Sequence, residues 1–221
     1  MDIFERLKDE ASDEWAAYVG HPFVEGLGSG ELDEAAFKHY LVQDYLFLIQ
    51  FARAYALAAY KATTLDELRA AARGVSAIVE TEMNLHVRMS ARWGLTRDDL
   101  ASAVEARATV AYTRFVLDTG QRGDLLDLYT ALAPCMIGYA EIGANLSDVP
   151  GALGSANPYR EWVAEYSGHA FQQAALEARS SLDRLARERL TEARWPALAE
   201  TFRQATRLEA EFWDMGITLS Q

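Results

Sequence analysis

Proline placement constrains this chain more than any other feature. Prolines stand only at 22, 134, 150, 158 and 196. Between them lie long stretches in which nothing clashes with a preceding helical turn or removes a helical donor. Those stretches repeat apolar residues at three- and four-residue spacing. Phe4, Leu7, Ala11, Trp15 and Tyr18, for example, share one helix face. No Val/Ile/Thr-rich segment alternates with the two-residue period of a half-buried strand. The chain therefore reads as an all-α bundle of roughly seven to eight helices, forming a single domain over residues 1–221.

Punctuation between the helices follows from capping chemistry. His21-Pro22 closes the first helix, because the residue before proline avoids the α region, and Gly26, Gly28 and Gly30 then read as a flexible turn. Asp33 is a candidate N-cap for a helix over about 34–61. Thr64-x-x-Glu67 has the form of a capping box opening a helix to about Trp93, which Gly94 stops. Thr96 opens a fourth helix, to about Thr119-Gly120, and a fifth spans about 124–146. Asn157-Pro158 pairs an N-cap with proline at the first helical position, and Gly168 separates that helix from the next. Thr191 begins the last, with Pro196 near its first turn and Met215-Gly216 near its end. Segments 40–60 and 128–146 are apolar almost all round, as expected of helices through the middle of a bundle.

Composition excludes several partners. With 21 basic and 33 acidic residues the formal charge is −12, which repels nucleic acid and anionic membrane surfaces. The single cysteine permits neither an intramolecular disulfide nor a Cys-rich metal site. Met1-Asp2-Ile3-Phe4-Glu5 lacks the basic and apolar regions of a signal peptide. The most apolar region, Tyr45 to Tyr60, is interrupted by Gln50 and Arg53 and falls short of a membrane span. A soluble, reducing, cytoplasmic location is expected.

Three residues stand out chemically. Cys135 follows Pro134 inside an apolar helix, where proline removes a backbone hydrogen bond and turns dipoles toward the thiol, favouring thiolate. Tyr139 lies four residues on, so thiol and phenol share a face. The plainer alternative is a cysteine packed as a small hydrophobe. Asp44 sits in an aromatic stripe with Tyr40, Phe47 and Phe51, where a carboxylate needs a partner: a ligand, a helix end or an arginine such as Arg53. Glu209 shares a face with Phe212, and a carboxyl against aromatic surface suits a general acid, although an exposed or salt-bridged glutamate fits the same pattern. Tyr112, Tyr159, Trp162 and Tyr166 add aromatic faces able to stack a flat heterocycle.

Taken together, these segments resemble the thiaminase II (TenA) family. The resemblance rests on His21-Pro22-Phe23-Val24, Phe37-x-x-Tyr40-Leu41-x-Gln43-Asp44 and Pro134-Cys135-x-x-Gly138-Tyr139. Pro158-Tyr159-x-x-Trp162 to Tyr166 and Glu209-x-x-Phe212-Trp213-x-Met215 complete it. It implies a haem-oxygenase-like helical fold, a homotetramer, no cofactor and no metal. The reaction it implies is hydrolysis at the methylene carbon of an aminopyrimidine, either thiamin or the aminomethylpyrimidine derived from it, giving a hydroxymethylpyrimidine for thiamin salvage. By the same resemblance Cys135 is the nucleophile and Glu209 the acid/base at a ring nitrogen, while Asp44 partners the ring nitrogen and amino group. Phe47, Tyr112, Tyr139 and Tyr166 orient and stack the ring. Position 47 is Phe where some members carry Tyr.

Three other readings compete. A metal-dependent, di-iron type oxidase would use Glu82, His86 and His169, with Asp44 as a further ligand, but no Glu-x-x-His pair of the ferritin-like kind occurs. Glu82 and His86 otherwise read as an internal hydrogen-bonded pair. Haem binding would fall to His21 or His39. A DNA-binding regulator would need a basic recognition helix, which is missing.

Overall fold

The computed structural model describes residues 2–221. Among them 81% are helical and none is in a strand, in line with the all-α expectation. Thirteen α-helical segments occur among the described residues: α1 Ile3–Glu10, α2 Ser12–Val19, α3 Pro22–Ser29, α4 Glu34–Lys61, α5 Leu65–Ser76, α6 Met83–Arg92, α7 Arg97–Ser102, α8 Arg107–Arg122, α9 Leu125–Ala133, α10 Tyr139–Ser147, α11 Arg160–Ser167, α12 His169–Arg189 and α13 Trp195–Thr218. Wider π-helical turns join α5 to α6 (Ala77–Glu82) and α9 to α10 (Pro134–Gly138). The excess over seven or eight arises where single expected helices are divided and where the expected glycine turn folds as α3.

Each division has a local cause. The first helix bends at Ala11 (φ −119°, ψ 32°), yet Phe4, Leu7, Ala11, Trp15 and Tyr18 are all buried as their spacing predicts. The glycine-rich turn is in fact α3. His21 takes an extended conformation (ψ 144°), its side chain accepts from Phe23 N, and Pro22 occupies the first turn, where its fixed φ favours a helix. Gly26 and Gly28 lie inside α3, and only Gly30 at its end has the left-handed φ of 80°. A methyl group on Gly28 would stand 2.7 Å from Leu146 Cδ2, so that side chain would have to shift to admit it. Thr64 and Glu67 form the anticipated capping box of α5. The helix from Thr96 stops after two turns, because residues 103–106 run extended under Gln43. Gln43 donates to Val104 O (3.0 Å) and accepts from Ala106 N (2.8 Å) and Thr109 Oγ1 (2.7 Å). Asn157 is not the N-cap of α11. Its carboxamide accepts from Tyr159 N and donates to Leu27 O and Ala152 O, and the helix starts later, at Arg160. Gly168 separates α11 from α12 as expected.

The chain forms two compact units, residues 1–33 with 129–214, and residues 34–128 with 215–221. The first has an aromatic core. Trp15 lies edge-on to Phe4 (5.4 Å between ring centroids) and stacks on Phe202 (5.7 Å), while Trp213 stacks on Phe23 (4.9 Å). Each such ring contributes a large apolar area and a geometric preference beyond area alone. In the second unit α4 packs against α5, α6 and α8 and buries Tyr40, Phe47, Phe51 and Tyr55. Leu125–Ser147, rather than Tyr45–Tyr60, is the one stretch among the described residues long and apolar enough to cross a membrane, and 78% of its most apolar window is buried inside the fold.

Candidate active site

The seven candidate residues fall into two sets, one per unit. In the first unit, the π-helical turn Pro134–Gly138 carries Cys135. Pro134 cannot donate within the helix, so an α-helical register is not sustained there and the turn widens. Tyr18 Oη donates to Pro134 O (3.3 Å). Gly138 allows the Tyr18 ring to come close, since a methyl group there would stand 2.5 Å from the ring. Cys135 is half-buried.

One turn on, Tyr139 meets Tyr166 edge-to-face at 5.0 Å, Trp213 at 5.3 Å and Trp162 at 5.8 Å. Trp162 and Tyr166, one turn apart on α11, are 4.4 Å apart. Gln172 of α12 fixes this wall by donating to Tyr166 O (2.7 Å) and Ala140 O (2.8 Å). Glu209 on α13 is only 1% exposed, which removes the reading of a solvated glutamate, while Glu211 and Asp214 face outward as their spacing suggests.

In the second unit, Asp44 is 5% exposed. Its partner is not Arg53, which donates instead to Gln50 at 2.9 Å. Tyr40 Oη donates to Asp44 Oδ2 (3.1 Å), and His86 Nε2 of α6 stands 3.0 Å from the same oxygen. The imidazole contact has ion-pair distance but lies outside hydrogen-bond geometry. Phe47 packs on Tyr112 (5.1 Å) and Phe51 (5.5 Å). A small space beside it is lined by Phe47, Gln50, Phe51, Thr113 and Val116.

Tyr40 and Gln172 were not singled out as site residues by sequence reasoning, and His86 was named only as a ligand in the oxidase reading. The four-residue spacing of Tyr40 and Asp44 carried the signal for the first. His86 and Gln172 meet their partners across helices, and spacing along the chain holds no trace of that. Of the residues in the oxidase reading, His169 is exposed at the start of α12, while His86 is enclosed beside Asp44. Among the described residues no three His, Cys, Asp or Glu side chains gather as a metal site.

Residues 8–219 match the model of the TENA/THI-4/PQQC family. The chain belongs to this family. Its relatives include a protein of Halalkalibacterium halodurans named aminopyrimidine aminohydrolase, 37% identical over 97% of this chain and 95% of its own. A crystal structure from a Silicibacter strain, described as a TenA family transcription regulator, is 43% identical, covers 97% of this chain and 96% of its own, and superposes with a TM-score of 0.93. A domain of unknown function with a haem oxygenase-like fold from Shewanella denitrificans superposes with a TM-score of 0.77 at 14% identity over 99% and 93% of the two chains, which places the fold of this family member in that class. The motifs quoted for the TenA resemblance, from His21 to Met215, all sit within the matched region.

Proposed function

We propose that the protein is an aminopyrimidine hydrolase of the thiaminase II type. It takes an aminomethylpyrimidine derived from thiamin, or thiamin itself, and produces a hydroxymethylpyrimidine. The observation that carries this reading is Cys135: the single cysteine is half-buried on a proline-initiated π-helical turn, in a chain that aligns almost end to end with a relative named for this reaction. Such wide turns recur at functional sites.

The chemistry explains why a thiol and a carboxyl are both required. The methylene carbon of a neutral aminopyrimidine is a poor electrophile. Cys135 thiolate adds to a ring carbon while Glu209 protonates a ring nitrogen, giving an electron-rich dihydropyrimidine. That ring expels the amine, which takes the ring N–H proton and leaves, as ammonia from the aminomethylpyrimidine, and an exocyclic methylene remains. Water adds across it, hydroxyl to the methylene carbon and proton to the ring nitrogen; Glu209 takes that proton back as the C–S bond breaks and the thiolate departs. One difficult displacement becomes two easier steps. Asp44 accepts from the substrate's amino group, and Phe47, Tyr112, Tyr139 and Tyr166 orient the ring. A reducing, cytoplasmic setting keeps the thiol available, and a homotetramer is the assembly this reading expects.

Turnover in water enriched in ¹⁸O tests the reaction class. Aminomethylpyrimidine should release one ammonia per hydroxymethylpyrimidine, with the heavy oxygen in the new hydroxyl. No turnover of either aminomethylpyrimidine or thiamin would overturn the proposal.

A further inference from the structure

Both contacts of the Asp44 carboxylate fall on one oxygen. Tyr40 Oη donates to Oδ2 from one helical turn away, and His86 Nε2 stands 3.0 Å from Oδ2 on the neighbouring helix α6. All three side chains are enclosed: Tyr40 is 0% exposed, His86 2% and Asp44 5%. The Tyr40 and His86 rings lie 6.4 Å apart at 67°, so the phenol and the imidazole approach the carboxylate from two directions. The Tyr40 hydrogen bond and the imidazole nitrogen standing at 3.0 Å, the latter outside hydrogen-bond geometry, both crowd the Oδ2 side of this enclosed carboxylate and limit its rotation. Oδ1 is then the oxygen left to accept a further hydrogen bond. A group that donates N–H fits it, since an aliphatic edge would leave a buried acceptor unpaired.

We infer that His86 is the positioning residue for Asp44, holding Oδ2 so that Oδ1 accepts from the exocyclic amino group of the aminopyrimidine. This inference rests on the substrate reading given for Asp44 under the proposed function. It assigns to His86 neither contact with substrate nor proton transfer. Its effect is selectivity for the amino group, and the nucleophilic thiol is untouched by it.

The test compares calorimetric binding of the aminated product, hydroxymethylpyrimidine, with that of its deamino analogue. Wild type should prefer the aminated ligand. His86→Leu, which keeps bulk but removes the polar edge, should weaken the aminated ligand about tenfold, as for one charge-assisted hydrogen bond, and the deamino ligand less than about twofold. His86→Gln, whose amide N–H reaches about as far as Nε2, should restore most of the preference and serves where the leucine variant does not fold. Alkylation of Cys135 by iodoacetamide should proceed at the wild-type rate in both variants. Equal losses on the two ligands, or a leucine variant that discriminates as wild type does, would overturn the role of His86 alone. Wild type that binds both ligands equally would overturn the reading of Asp44 itself, and the inference with it.

Discussion

Gly143 and Tyr166 approach so closely that a methyl group on Gly143 would stand 2.4 Å from the Tyr166 carbonyl carbon and 2.5 Å from its oxygen. This contact lets α10 and α11 pack with Tyr139 and Tyr166 ring to ring. Gly143→Ala gains about 1 kcal/mol of helix propensity. It also inserts a methyl against backbone that cannot rotate away, and overpacking of this kind costs ~1–3 kcal/mol or more. The variant should therefore be less stable than wild type in urea denaturation and show a raised KM for aminopyrimidine, because Tyr166 must shift. A variant more stable than wild type would mean the helices separate freely.

Phe47 separates a packing role from a substrate role. Its ring lies between Tyr112 and Phe51 and is 4% exposed. Phe47→Ala should cost ~3–5 kcal/mol in denaturation, the range for losing a buried aromatic ring. Phe47→Tyr adds one oxygen beside a void whose lining includes Gln50 and Thr113, both able to bond it. Its stability should stay within about 1 kcal/mol of wild type, as for changes that create neither a cavity nor an unpaired polar group. A tyrosine variant as unstable as the alanine variant would show that the void cannot accept the hydroxyl.

Acid stability should depend measurably on Glu105. The Arg114 guanidinium hydrogen-bonds its carboxylate through Nη1 (2.8 Å) and Nη2 (2.5 Å) and holds its pKa below the usual glutamate value of 4.5, against an opposing effect of burial. Because the folded value is depressed, the stabilisation is present above the unfolded value and is lost as pH falls through the folded one. The pair is partly exposed, so it contributes only ~0.5–1 kcal/mol. Glu105→Gln should be less stable than wild type by that amount at pH 7, and the gap should close below the carboxylate range. A gap of constant size from pH 7 to pH 3 would show that charge is not its origin.

Helix type and the buried faces were legible in the sequence, because apolar spacing reports a 3.6-residue period directly. The buried run from Phe4 to Tyr18 and the Thr64–Glu67 capping box show it. Breaks imposed by tertiary contacts were not. Gln43 draws residues 103–106 into extended form by bonds across more than sixty positions, and no local propensity at Val104 announces that. The glycines of α3 misled for a related reason: Gly26 and Gly28 answer to neighbours, Leu32 and Leu146, and not to a turn. For the site, Asp44 was conspicuous as a carboxylate among aromatics, but its partner His86 lies 42 positions along the chain, on another helix. Position along a chain cannot say which of several buried polar groups will meet.

The most direct measurement is single-turnover hydrolysis by wild type and Cys135→Ser, on both aminomethylpyrimidine and thiamin. Serine keeps the size and the turn but is a far weaker nucleophile at neutral pH. Removal of the covalent route should lower the rate at least ~100-fold on whichever substrate is used, with denaturation midpoints nearly equal. A serine variant that turns over at close to the wild-type rate would contradict the assignment of Cys135 as nucleophile.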